Sequence, residues 1–131
     1  MGVTPRHEDW LAQARTDLKA ARHSLAAQDY DWCAFQSQQS AEKALKALLR
    51  FHKREMRVHD LPKLISALAT IIQIPDTVAR ASDELDVHYV RPRYPDSITK
   101  GFPLEFYDEK IAKECIEQAE TILAFVEANL A

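Results

Sequence analysis

Glycine, cysteine and long apolar runs are all scarce in this chain of 131 residues, and each scarcity excludes a class of protein. The two glycines, Gly2 and Gly101, cannot supply a glycine-rich phosphate loop or dinucleotide turn. Two cysteines, Cys33 and Cys115, are too few for a disulfide framework or a structural zinc site, so we expect small buried thiols. With no zincin or nucleophile-elbow motif either, no metal or cofactor is predicted.

Membrane and secretory segments are also missing from the pattern. No apolar run approaches the roughly 18 residues of a membrane span, and residues 1–10 are charged rather than apolar. Hydrophobic residues make up 47% and charged residues 28% of the chain, which is typical of a soluble globular protein. We therefore expect one cytoplasmic domain over residues 1–131, with no membrane partner.

Apolar side chains recur at spacings of three and four, which predicts amphipathic helices. Thr4-Pro5 marks the first helix start, and Gln39 on the second helix is expected to brace a neighbouring segment. Short connections favour antiparallel neighbours. The predicted fold is an all-α, up-and-down antiparallel bundle of about five helices, with a long loop before the last. The helices are expected at residues 7–27, 30–54, 60 or 61 to 72, 75–89 and 107–129.

The long loop, residues 90–106, contains most of the motif YVRPRYPD at 89–96. The two prolines of the motif, Pro92 and Pro95, stiffen the backbone and remove two N–H donors. Arg91 and Arg93 suit phosphates, and Tyr94 could stack on a base, so all three are candidate nucleotide- or RNA-binding residues. In the alternative interpretation the loop only closes the bundle, with Tyr94 buried and an arginine paired to an acid of the fourth helix.

Positive charge is concentrated between residues 43 and 63, although the net charge is −3. Seven Lys and Arg face two acids there, whereas residues 104–131 carry seven acids and two lysines. Such a basic segment could hold a phosphate or meet an acidic partner, and Lys53 and Arg57 are its candidate binding residues. It could equally be an ordinary solvated face.

Arg54 and His59, with four residues between them, are the candidate catalytic pair. Histidine can act as a general base near neutral pH, and arginine can stabilise the charge that develops on a phosphate. Metal-independent RNA cleavage needs little more than this pair beside a 2′-hydroxyl. The alternative role for His59 is to cap the third helix or brace the loop before it.

An acidic group at residues 83–88 offers a weaker possibility. Glu84 and His88 lie four residues apart on one helix face and could contact a metal. No second ligand pair is evident, so a solvated acidic face is the favoured interpretation.

The chain resembles the HEPN family of small helical nucleotide-binding domains. Single residues carry part of the resemblance, and the segment 38–49 (QQSAEKALKALL) followed by 93–96 (RYPD) is its most specific part. The single matching residues lie along the whole chain, in the order of the family: Trp10, Asp17, Leu18, Tyr30, Phe35, His59, Asp60, Leu61, Leu64 and Tyr89.

The resemblance implies a helical bundle that forms homodimers and pairs with a minimal nucleotidyltransferase as a toxin–antitoxin system. Many members are metal-independent ribonucleases in which an Arg-x4–6-His motif faces its copy across the dimer. Arg54 and His59 are the pair at that spacing here, and Leu61 stands where some paired toxins have a modified tyrosine. Three functions are therefore expected in turn: a nucleotide- or RNA-binding partner protein, an active endoribonuclease, or a non-catalytic interaction module.

Overall fold

A computed structural model describes residues 6–94 and 101–130 of the chain and contains five α-helices in those ranges. No strand occurs in the part described, so the predicted all-α class is confirmed. Thr4, Pro5, Pro95 and Asp96, which the sequence interpretation used, lie outside the described residues. The helices are α1 (Arg6–Ala26), α2 (Tyr30–Phe51), α3 (Leu61–Ala69), α4 (Asp76–Asp86) and α5 (Glu109–Ala128), with 3₁₀ turns at Val87–Tyr89 and Pro103–Phe106.

Four predicted helix ends were misplaced, and one of them is the end of the third helix, which lies at Ala69 rather than at residue 72. The second helix ends at Phe51 rather than Arg54, and the fourth ends at Asp86, where a 3₁₀ turn follows. The last helix begins at Glu109, because Asp108 caps it by accepting a 2.8 Å hydrogen bond from the N–H of Ile111. Asp60 caps α3 in the same way, accepting from Lys63 at 3.1 Å.

Two helices end in a left-handed residue that is not glycine. At the end of α1, Gln28 has φ 65° and its N–H donates to Leu25, and at the end of α2, Lys53 has φ 62° and donates to Arg50. In both turns the next N–H donates to the carbonyl of the fifth residue before it, which is the Schellman pattern. Glycine is the usual occupant of this position, so both turns hold an L-residue in a strained conformation.

The core centres on α2. Its Leu45, Leu48 and Leu49 are fully buried, and α1 packs along it in the opposite direction. The direction follows from contacts at the two ends of the pair, since Ser24 near the end of α1 lies 2.7 Å from the Gln36 side chain, whereas Trp10 near its start lies under the Arg50 guanidinium. Cys33 and Cys115 are free and buried as expected, and burial raises their pKa values to about 11 and about 12.

The connection between α2 and α3, residues 52–60 (hereafter the linker), returns along α2. Its end lies beside the middle of α2, because Gln38 donates to the His59 carbonyl at 3.2 Å. The far end of α3 lies at the end of α2, because Arg54 reaches Thr70 at 3.3 Å. Hence α3 runs in the same direction as α2, with the linker alongside it. In the part of the chain described, no helix is long and apolar enough to cross a membrane.

Candidate functional site

A polar stripe runs along the otherwise apolar face of α2. Gln38, Glu42 and Lys46 follow one another at four-residue spacing and are only 0%, 3% and 7% exposed. Buried charges are costly unless they are paired, and the Lys46 ammonium lies 3.0 Å from a Glu42 carboxylate oxygen. Sequence reasoning missed Glu42 and Lys46. Their four-residue spacing within the apolar arc was the available signal.

His59 completes this stripe from the linker. Its Nδ1 lies 3.1 Å from each Glu42 carboxylate oxygen, and the histidine side chain is 53% exposed. Glu42 also accepts from Lys46 and Gln38, so it serves as an acceptor throughout and Nδ1 must donate. The neutral ring then has its lone pair on Nε2, the nitrogen left for a ligand or a substrate proton. His59 therefore braces the linker and also presents a fixed, half-exposed base.

Tyr89 and Arg93 connect the loop to His59. The Tyr89 ring stacks on the His59 ring with centroids 4.4 Å apart and planes 14° from parallel. Arg93 donates from Nε to the Tyr89 carbonyl at 2.7 Å, and its guanidinium lies 4.5 Å from the Tyr89 ring and 4.6 Å from Phe35. The guanidinium of Arg93, which was predicted to bind a ligand, thus makes its contacts within the protein. Tyr94 is 52% exposed, so the alternative in which it is buried was wrong.

The His59 pocket is a cavity of about 490 Å³ beside this stack. Lys63 is its cation, and the acids Asp60 and Asp86 are engaged in capping and in accepting from the Leu61 N–H at 2.8 Å. Burial raises the pKa of Asp86. A base, an ammonium and an apolar wall suit a phosphate with an attached sugar or base. The lining residues are Val58, His59, Asp60, Lys63, Asp86, Val87, Tyr89 and Val90.

A second cavity, the basic cleft, has a volume of about 340 Å³ and lies where α1 begins and α2 ends. Arg54 lines this cleft and not the His59 pocket, so one copy of the chain does not bring the predicted catalytic pair into one cavity. Lys53 lines the basic cleft as well. The complete lining is Arg6, His7, Arg50, Lys53, Arg54 and Glu55.

Arg57 lies on the linker, after Arg54 and before His59 in the chain, with its side chain 89% exposed. It contacts Glu55 at 3.1 Å, and Arg50 contacts the same carboxylate at 3.2 Å. The hydrogen bond from Arg57 and the charge of Arg50 lower the pKa of Glu55, which stays ionised and offsets part of the local positive charge.

The acidic group at 83–88 is not the uniformly solvated face that was favoured. His88 is buried, and its Nδ1 lies 2.6 Å from the Tyr107 hydroxyl. Burial, with the nearby charge of Arg91, lowers the pKa of His88 to about 4. Glu84 instead accepts from Gln118 at 2.7 Å. Among the residues described, no group of His, Cys, Asp and Glu could hold a metal ion.

Two further predictions concern Gln39 and Arg91. The glutamine that braces a neighbouring segment is Gln38, whereas the predicted Gln39 donates to the Gln38 side chain at 2.8 Å. Arg91 is exposed and lies close enough to His88 and Tyr107 to affect both pKa values. The binding roles of Lys53, Arg57, Arg91 and the other candidate residues remain predictions.

Comparison with known proteins gives a consistent result over nearly the whole chain. The sequence model of the HEPN domain matches residues 7–129. The chain is 29% identical over 126 residues to "Putative toxin MJ1304" of Methanocaldococcus jannaschii, which covers 89% of this chain and 83% of that protein. The crystal structure of TT1696 from Thermus thermophilus superposes with a TM-score of 0.93 at 36% identity, covering 96% of this chain and 99% of that one. ST0689, an archaeal HEPN homologue, gives 0.82 at 38% identity, covering 95% and 98%.

Proposed function

The chain belongs to the HEPN family, and from that premise we propose that it is a toxin-like member that binds nucleotides or RNA at the His59 pocket. The observation that carries the proposal is the half-exposed His59 ring, held by the buried Glu42 carboxylate and stacked on Tyr89. A buried charge pair on a helix of the core is a costly way to hold one surface histidine. Such a cost is typical of a functional site, where a side chain has to be fixed in position.

The chemistry of the His59 pocket favours a phosphate-bearing ligand. Lys63 supplies a positive charge, and the His59 Nε2 can donate a hydrogen bond to a phosphate when the ring is protonated. Val58, Val87 and Val90 provide apolar surface for a sugar or base. A cavity of equal volume between α4 and α5 is a poorer candidate, because its lining has three glutamates against one arginine.

Titration at low salt tests this proposal. We expect saturable binding of nucleotides and short RNAs, followed by fluorescence polarisation, and a loss of at least tenfold in affinity for His59→Ala. Arg22→Ala is the matched control, since Arg22 is an exposed α1 cation whose 2.9 Å pair with Glu120 lies away from both cavities. Absence of saturable binding, or an equal loss in both variants, would refute the assignment.

A second candidate function, metal-independent RNA cleavage, is favoured by the Glu42–His59 pair. A carboxylate that accepts from Nδ1 keeps the basic lone pair on Nε2, where it could take the proton of a 2′-hydroxyl. Arg54 would have to come from a second copy of the chain, because it lines the other cavity. The test is RNA cleavage in the presence of a chelator.

Mixing two inactive variants sharpens this test. Arg54→Ala and His59→Ala homodimers would each lack activity, whereas a mixed dimer would contain one site with both side chains. Recovered cleavage on mixing supports a shared site. Unchanged activity of His59→Ala alone would exclude His59 as the base.

We also propose that the chain forms a homodimer and pairs with a minimal nucleotidyltransferase, as its family and its likeness to a protein named as a toxin suggest. Large exposed apolar side chains, among them Trp32, Phe102 and Phe106, offer surface for such contacts. Light scattering of the purified chain tests the dimer. A monomer at all concentrations up to about 100 μM, far above typical dissociation constants of stable dimers, would contradict it.

A further inference from the structure

The His59 pocket and the basic cleft are joined by one segment of chain, the linker. His59 stands near its end and lines the first cavity, while Lys53 and Arg54 stand near its start and line the second. The exposed Arg57 lies between them in the chain. Both cavities offer cations to solvent, and the cations follow one another along the chain. This arrangement is a track of positive charge rather than a single point.

The spacing of the two cavities follows from α3. The Arg54 side chain reaches Thr70 after the end of α3, and His59 directly precedes Asp60, the cap of α3. The helix has nine residues and, at a rise of about 1.5 Å per residue, is roughly 14 Å long. The five residue steps from Arg54 to His59 can extend at most about 17 Å. The length of α3 lies below that maximum, so the two cavities lie roughly 14 Å apart.

A stacked nucleic acid strand rises about 3.4 Å per nucleotide, so this distance corresponds to about four nucleotide steps. One mononucleotide cannot reach both cavities. A single strand of about five nucleotides could place one phosphate near Lys63 and His59 and another in the basic cleft.

The cations of the track, Lys53, Arg54 and Arg57, are exposed, unlike others in the same basic segment. Lys43 and Lys46 are paired with Asp17 and Glu42 and are largely withdrawn from solvent. Lys53 is exposed, in the left-handed turn that ends α2. Glu55 pairs with Arg50 and Arg57 and so offsets part of the positive charge. The basic cleft still contains more cations than acids.

We propose that the ligand of this surface is a single-stranded polynucleotide that spans the His59 pocket and the basic cleft, with Lys53, Arg54 and Arg57 holding successive phosphates. This inference rests on the proposed nucleotide or RNA binding and specifies its substrate class. One phosphate would lie beside His59 in the His59 pocket. The gain in affinity with strand length would come from contacts in the basic cleft.

The experiment measures affinity against strand length. The probes are AMP and 2′-O-methyl oligoadenylates of two, four, six and eight nucleotides, which lack the 2′-hydroxyl needed for cleavage. We expect affinity to rise steeply to about five nucleotides and then level off. An affinity that is independent of length would overturn the track while leaving mononucleotide binding intact. If no probe binds, the proposed function fails with it.

A double variant, Lys53→Gln with Arg54→Gln, separates the two cavities. Both side chains are exposed, so the fold should be retained, and thermal unfolding checks this. Each phosphate contact on a single strand contributes about −0.7 to the slope of log K against log salt, so the slope for the hexamer should become shallower by about 1.4. Hexamer affinity should fall by about tenfold or more, with AMP affinity unchanged.

Arg15→Gln with Arg22→Gln is the matched control, because it removes two exposed cations of α1 that pair with α5. The control should change neither the salt slope nor the length dependence. The proposal is overturned if the linker variant weakens AMP and hexamer binding equally, or if the control has the same effect as the linker variant.

Discussion

Lys53 occupies a backbone position that suits glycine, and replacing it separates stability from binding. Its φ of 62° lies in the left-handed region at the end of α2, while its side chain lines the basic cleft. We expect Lys53→Gly to make the protein more stable and, under the track proposal, to weaken binding of a hexanucleotide. Gln28→Gly is the matched control, because Gln28 has φ 65° in the same turn at the end of α1.

The magnitude follows from two opposing contributions to the free energy of unfolding. An L-residue in the left-handed region costs about 1–2 kcal/mol relative to its right-handed conformation. Glycine avoids that cost, but it loses more backbone entropy on folding, which costs about 0.5–1 kcal/mol. The difference predicts a gain of about 0.5–1 kcal/mol for either substitution. For a chain of 131 residues this corresponds to a rise in Tm of about 2–3 °C.

Two assays on the same protein samples check this reasoning. Urea unfolding measures the change in stability, and fluorescence polarisation with 2′-O-methyl hexa-adenylate measures binding. Both variants should be more stable than the parent, and Lys53→Gly alone should bind the hexamer more weakly, by roughly threefold for one lost phosphate contact at low salt. Destabilisation of both variants would refute the argument from backbone strain. Equal binding by both would show that Lys53 does not contact the strand.

Three further predictions concern buried polar groups and a helix cap. Burial lowers the pKa of His88 to about 4, so between that value and the unfolded value near 6.5 the unfolded chain binds the extra proton. Stability should therefore fall by about 3 kcal/mol as pH drops from 6.5 to 4, and urea titrations of His88→Gln should lack that loss. Glu42→Gln leaves the buried Lys46 without its charge partner and should cost about 3–5 kcal/mol, part of which Glu42→Gln with Lys46→Met should restore in chemical denaturation. Asp108→Ala removes the cap of α5 and should cost about 1 kcal/mol by the same measurement, whereas an equal stability of both proteins would contradict the capping role.

Periodicity predicted the helices because each one buries a stripe set by its own sequence. Leu11, Leu18 and Leu45 lie where their spacing placed them, inside the core. The cap of α3 was also readable, since Asp60 and Pro62 are local start signals. Local signals fix local structure, and that is why the five helices were predicted with errors only at their ends.

The candidate site depends on contacts that no local pattern encodes. His59 meets Glu42 because the linker returns along α2, and it meets Tyr89, thirty residues further on, because α4 ends beside the start of α3. Periodicity places Glu42 on an apolar arc but does not reveal which side chain will pair with it. The predicted pair of Arg54 and His59 was chosen by sequence spacing, and the folded linker places them in different cavities.

The contacts of Arg93 in the loop differ from those of the linker cations, and so do the roles that these contacts indicate. Arg93 is used by its own neighbourhood, with Nε on the Tyr89 carbonyl and the guanidinium against the rings of Tyr89 and Phe35. An arginine held in this way positions Tyr89, and Tyr89 in turn positions His59. The Lys53 and Arg57 side chains are exposed on the linker, where a strand can reach them. Under the track proposal, charge for the ligand comes mainly from the linker, while the loop fixes the orientation of the histidine on which binding and any cleavage would depend.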